Sequence, residues 1–241
     1  MRRIHRSAIS DALVLLLLLC GSTLRAQRPS ESESETAAEV SFAFERTGLP
    51  VPRFTLSVDR NGLGTYTGEQ AQTVVRGVPA QPATLTFEQK FALSSQTTRR
   101  IFALAEDLDH FNIACASKAK NVADTGTKTL TYAAPGTMHS CTFNYTENKN
   151  VSALTDLFLA IAGTMDEGRA LDHLHRYDRL GLDAELQSFS REVAEGHAVE
   201  LGTIASTLRA IAEDADLMQR VRTQARALLT MVSAETRQAA Q

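Results

Sequence analysis

Lysine is missing from this sequence after Lys149 and proline after Pro135, and beyond residue 20 no apolar run is long. A spanning helix needs about 20 consecutive apolar residues, so no transmembrane segment is expected downstream. The Gly-x-Ser-x-Gly turn is absent as well, which removes the nucleophile elbow of many hydrolases. Three cysteines are present, and no histidine near them completes a zinc ligand set. Gly62-x-Gly64 sits in a hairpin turn rather than before a helix, so it is no phosphate loop. No catalytic residue, cofactor or metal is expected.

What the chain does contain at its start is a secretory signal over residues 1–26. A basic stretch, Met1 to Arg6, precedes an apolar run from Ala12 to Cys20, and Gly21 to Ala26 form a polar exit. Leu19 precedes Cys20, where a lipoprotein signal places a small residue. Arg2-Arg3 lacks the further pattern of a twin-arginine signal, so general secretion with cleavage after Ala26 is the expectation. That segment carries four arginines and one aspartate, so its removal takes the net charge from −3 to −6. An acidic body argues against nucleic acid as a partner, since such binding rests on clustered positive charge. A soluble periplasmic or secreted protein follows.

Residues 27–38 have no aromatic or branched aliphatic side chain and form a flexible leader, because they bury too little to offset ordering entropy. From Glu39 the pattern has period two. Val40, Phe42 and Phe44 mark one strand, and Phe54, Leu56 and Val58 a second. Asp59-Arg60-Asn61-Gly62 supplies hairpin chemistry before a returning strand from Leu63 to Thr67. A loop with Gly77, Pro79 and Pro82 leads to a strand holding Leu85, Phe87 and Phe91. Ser94-Ser95 caps a helix over 96–110 with Ile101, Leu104, Ala105 and Leu108 at helical spacing. Thr127 to Tyr132 and Met138 to Tyr145 read as strands around Pro135-Gly136. Residues 39–150 are therefore expected to form an antiparallel sheet with one packed helix.

Residues 151–235 have helical spacing throughout. A first helix runs from Leu154 to Leu174, with Asp166-Glu167-Gly168 as a candidate kink, and Gly181 and Asp183 mark a stop and a fresh cap. A second carries Leu186, Phe189, Val193, His197, Leu201, Ile204, Leu208 and Ile211 on one stripe. A third, capped by Asp214 or Asp216, carries Met218, Val221, Ala225, Leu228 and Val232. Strands first and helices afterwards give an α+β class, with a C-terminal helical hairpin or three-helix bundle.

Cys115 and Cys141 remain after signal cleavage. An even count in an oxidising compartment predicts a disulfide between them, closing a loop of 27 residues. Loop entropy puts its contribution at roughly 3 to 4 kcal/mol.

The segment from Asp172 to Asp178 is the richest in chemical groups. His173 and His175 lie about 200° apart around a helix axis, whereas zinc pairs on a helix sit at i and i+4. Asp172 with Arg176, and His175 with Arg179, read as pairs on a solvated helix end. His197 lies about 13 Å further along a folded-back helix and reads as a core-edge histidine beside Glu200. His110 and His139, with Asp107 and Asp109, lack a nucleophile on a sharp turn. Asp124-Thr125-Gly126 matches the aspartic-protease triplet, but no second copy exists to share a proton. Asn144-Tyr145-Thr146 and Asn150-Val151-Ser152 fit the N-glycosylation pattern of eukaryotic exported proteins.

Phe54-x-Leu56-x-Val58-Asp59-x-x-Gly62, then Tyr66 and Leu93-Ser94 before a helix, resembles the layout of emfourin-type protease inhibitors over residues 53–110. That resemblance implies a compact sheet with a packed helix and a binding role, and it assigns no inhibitory residue. Thr125-Gly126-x-Lys128-x-Leu130 and Tyr177 to Asp183 are similar to an uncharacterised group of secreted bacterial proteins. The chain is therefore expected to be a non-enzymatic binding or interaction module whose partner is another protein. From residue 151 onward nine arginines face fourteen acids, which suits a charged contact face. Two rival classes are a hydrolase whose site is assembled from distant residues and an envelope protein that oligomerises through its helices.

Overall fold

The computed structural model describes residues 38–71 and 84–239. The expected signal peptide, nearly all of the leader, and the Gly77–Pro82 loop lie outside the described residues. Strand β1 (Glu39–Glu45) pairs with β2 (Arg53–Asp59), which pairs with β3 (Leu63–Ala71), which pairs with β4 (Thr84–Ala92). On the other side of β1 lie β5 (Thr127–Ala134) and then β6 (Thr137–Phe143), so the antiparallel order is β4-β3-β2-β1-β5-β6.

Alternation sets the two faces of this sheet. Phe42 stands opposite Leu56 and Leu130, and Leu56 opposite Tyr66, so one row of large side chains crosses four strands inside the core. The other face carries Ser41 opposite Ser57 and Thr131, and Thr129 opposite Thr142 with their hydroxyls 2.9 Å apart. The β2–β3 turn uses the expected chemistry. Asp59 Oδ1 accepts the amides of Asn61 and Leu63, both at 2.9 Å, while Gly62 takes φ +81°, which an L side chain resists.

Helix α1 (Ser95–Asp107) starts where Ser94 Oγ accepts the Thr97 amide at 3.2 Å, and it buries Ile101, Phe102 and Ala105. Past its end, Asp109, His110 and Phe111 all have positive φ, forming a left-handed turn that puts Phe111 into the core. The chain then reaches Cys115, which is bridged to Cys141 on β6 with Cα atoms 5.8 Å apart.

Helix α2 (Lys149–Tyr177) is continuous for 29 residues, with Asn148 Oδ1 accepting the amides of Asn150 and Val151. No kink interrupts it at Asp166-Glu167-Gly168. Its first half belongs to the sheet core: Phe158 stacks on Phe42 with centroids 5.4 Å apart, and Leu154, Ile161 and Met165 are buried there. The sheet is thus covered by α1 and half of α2, not by one helix. From Leu171 onward α2 joins a second core, with Leu186 and Phe189 of α3 (Leu182–Ala194), Leu208 and Ile211 of α4 (Ala205–Glu213), and Val221 and Leu228 of α5 (Gln219–Ala239). Fully burying each such side chain stabilises by about 1.5–3 kcal/mol.

The expected second helix from Leu186 to Ile211 is in fact two. It breaks at Gly196 (φ +76°) and Glu200 (φ +57°), and a 3-10 turn, Leu201–Ile204, leads into α4. His197 therefore leaves the apolar stripe, with 71% of its side chain exposed beside Glu195 instead of Glu200. Glu200 is buried instead, where its two oxygens accept from the Ser94 amide (2.8 Å) and hydroxyl (2.6 Å). Among the described residues, no helix is long and apolar enough to cross a membrane.

Candidate functional site

A groove of about 930 Å³ follows the outer side of α2, between the β1–β2 connection and α3. Phe44, Leu49, Pro50, Val51 and Phe54 form one wall, and α2 contributes the floor from Leu159 to Tyr177. Glu185 enters from α3. The long helix positions the polar groups here because it spans both cores and cannot shift without disturbing either.

Asp166 and Glu167 are adjacent on α2 and end in different surroundings. Asp166 Oδ1 accepts from the Tyr66 hydroxyl at 2.8 Å and from Arg169 Nη2 at 2.7 Å. Burial pushes this carboxyl above the usual range, against the opposing pull of those two donors. The Tyr66 hydroxyl is pushed up, first by its own burial and then by the Asp166 charge. Arg169 also donates to Gln70 at 3.2 Å, and its guanidinium lies 3.6 Å from the centroid of the Phe87 ring. This network is internally neutral and ties α2 to β3 and β4.

Glu167 has no such donor. Its Oε1 is buried without a donor partner among the described residues. Burial, reinforced by the charges of Glu185 and Glu192, pushes its carboxyl up to about 8. Glu185 stands close enough on α3 for its charge to oppose ionisation of Glu167. Glu185 and Glu192 lie two turns apart on one face of α3. Among the described residues none of the three acids has a cationic partner within salt-bridge distance. Further along, Asp172 pairs with Arg176 at 3.0 Å, while the His173 ring lies against Tyr177 with centroids 5.0 Å apart. Tyr177 at the mouth is 75% exposed, and Leu180 in the following turn is 85% exposed.

The chain matches no known family model and no curated protein.

The sequence-derived candidates fall in separate places. His173 lines the groove, whereas His175 turns to the junction of α4 and α5, where its Nε2 lies 2.8 Å from Asp214 Oδ2. That hydrogen bond holds the Asp214 carboxyl below its usual range. His175 is therefore not a solvated end group, for only 17% of its side chain is exposed. Asp172 with Arg176 forms the expected pair, and Arg179 donates to the His175 carbonyl at 3.3 Å. His110 packs on Tyr132 at 4.2 Å, and Tyr132 stands opposite His139 at the β5–β6 edge.

Asp124-Thr125-Gly126 forms a turn in which Asp124 Oδ1 accepts the Gly126 amide at 2.9 Å. Buried Lys128 seals that turn by donating to the Thr125, Gly126 and Asn144 carbonyls at 2.9–3.1 Å. Burial lowers its pKa, helped by the nearby Arg46 charge. Asn144 is used in the same turn, donating its amide to the Ala123 carbonyl, and Asn150 lies in the first turn of α2.

Glu167 and Glu185 do not stand out in the sequence, where Asp166-Glu167-Gly168 has the composition of a kink and helix acids that of a solvated surface. The one local hint is position: Glu167 follows Thr164 by three residues and precedes Leu171 by four, and both of these are buried in α2.

Proposed function

We propose that this protein is an exported, non-enzymatic binding module that takes its partner into the groove beside α2. The observation that carries this reading is the groove itself: an apolar wall, an exposed aromatic lip at Tyr177, and a polar floor held in place by two cores. Concave surfaces with apolar walls and a few placed polar groups are where ligands bind. The signal-like N-terminus and the emfourin-like layout of residues 53–110 support the same class of role. The partner is another macromolecule, since the groove is open and extends over five turns of helix.

A photo-crosslinking residue placed singly at Leu49, His173, Thr55 or Thr131 tests this. Adducts formed in the native exported fraction from positions 49 and 173, and not from the sheet-face positions 55 and 131, support the groove. Adducts from the sheet face alone contradict it.

One observation favours a second reading, hydrolysis. Glu167 and Glu185 line the same groove, and burial pushes Glu167 up to about 8 beside the acid on α3, the kind of environment that sets an acid apart from a base. Turnover of any ester, glycoside or peptide substrate that Glu167→Gln and Glu185→Gln both abolish would replace binding with catalysis.

A further inference from the structure

We infer that the occupant of this groove is a basic, apolar peptide segment, whose lysine or arginine side chain sits between Glu167 and Glu185. The inference rests on the groove reading above and adds the chemistry of its partner.

Charge complementarity selects that occupant. Of the charged groups lining the groove, Asp166 is matched by Arg169 and Asp172 by Arg176. What remains unmatched is the Glu167–Glu185 pair, with Glu192 adding to its field from α3. Glu167 Oε1 is buried without a donor among the described residues, so ionising this carboxyl is costly unless a cation stands against it. An anionic ligand adds repulsion, and a neutral donor leaves the charge of the two acids unmatched. Arginine presents several donors in a planar fork and suits two carboxyl groups at once. The wall from Phe44 to Phe54 takes apolar side chains on either side of the cation, and the Tyr177 ring at the mouth offers a face to a second one. Entry of the cation favours the ionised form of Glu167, which burial keeps protonated at neutral pH, so binding is coupled to proton release.

The test uses three synthetic peptides against the protein purified from its host: acetyl-Leu-Leu-Arg-Leu-Leu-amide, its citrulline analogue and its glutamate analogue. Calorimetry in two buffers of different ionisation enthalpy counts protons, and amide chemical shifts locate the site. The expected result is shifts at Leu49, His173 and Glu185, binding of the arginine peptide at least tenfold tighter than either analogue, and proton release at pH 7. Glu167→Gln and Glu185→Gln each erase most of that preference. Equal binding of arginine and citrulline peptides in the groove overturns the cation and leaves the groove reading standing. Shifts confined to the open sheet face, or no binding by any peptide at millimolar concentration, overturn both.

Discussion

Glu167 and Glu200 are both drawn away from water, yet only Glu200 finds donors in the fold. Ser94 gives it an amide and a hydroxyl, so its burial fastens the helical part of the chain to the start of α1. Glu200→Ala leaves the Ser94 amide without its partner and is expected to cost about 1–3 kcal/mol in urea unfolding. In a double-mutant cycle with Ser94→Ala the two losses should fall well short of additive. Glu167 behaves in the opposite sense. Its raised pKa means that the folded chain keeps a proton which the unfolded chain has released between pH 4.5 and about 8. Stability therefore falls as pH rises through that window. Glu167→Gln removes the dependence, with no gain at pH 4 and about 1–2 kcal/mol of added stability above pH 8, a figure discounted for the water that still reaches the side chain. Thermal unfolding of both proteins at pH 4, 6 and 9 reads the difference.

At the scale of elements, the strands were legible because each obeys one rule. Val40, Phe42 and Phe44 alternate with small polar residues, and the structure keeps that alternation over the whole of β1. The helix break at Gly196 was not legible, because Leu201, Ile204, Leu208 and Ile211 continue a helical spacing past it. A 3-10 turn carries the apolar stripe across with almost the same period. Burial of Glu167 was hidden for a related reason: it depends on where α3 lies after the Asp178–Gly181 turn. Close approach between elements also escapes a pattern reading. A Cβ at Gly168 would stand 2.3 Å from Ile204 Cγ2, so α2 meets the 3-10 turn only because residue 168 has no side chain. Gly168→Ala should destabilise by about 1–3 kcal/mol through overpacking despite its better helix propensity. Trimming the neighbour with Ile204→Val should recover part of the loss, as measured by urea midpoint. The Cys115–Cys141 bridge fixes the left-handed turn after α1 to the β6 edge. Replacing both cysteines by serine should lower stability by roughly 3–4 kcal/mol, and added reductant should then have no further effect.

For the molecule as a whole, α2 is the shared part. Its first half completes the sheet core, and from Leu171 it packs into the helical core, so neither core is complete without it. Melting by far-ultraviolet circular dichroism and by the near-ultraviolet signal of the tyrosines, among them core residue Tyr66, should therefore give one coincident transition. Two separated transitions would mean that the cores fold apart. This arrangement also explains why the groove keeps its shape: its walls come from the sheet side and its acidic floor from α2 and α3. The most direct test of the account is a carboxyl carbon NMR titration of Glu167 in the folded protein. A midpoint near 8 is expected, moving down when a cationic peptide fills the groove. An ordinary midpoint close to 4.5, unchanged by the peptide, would contradict it.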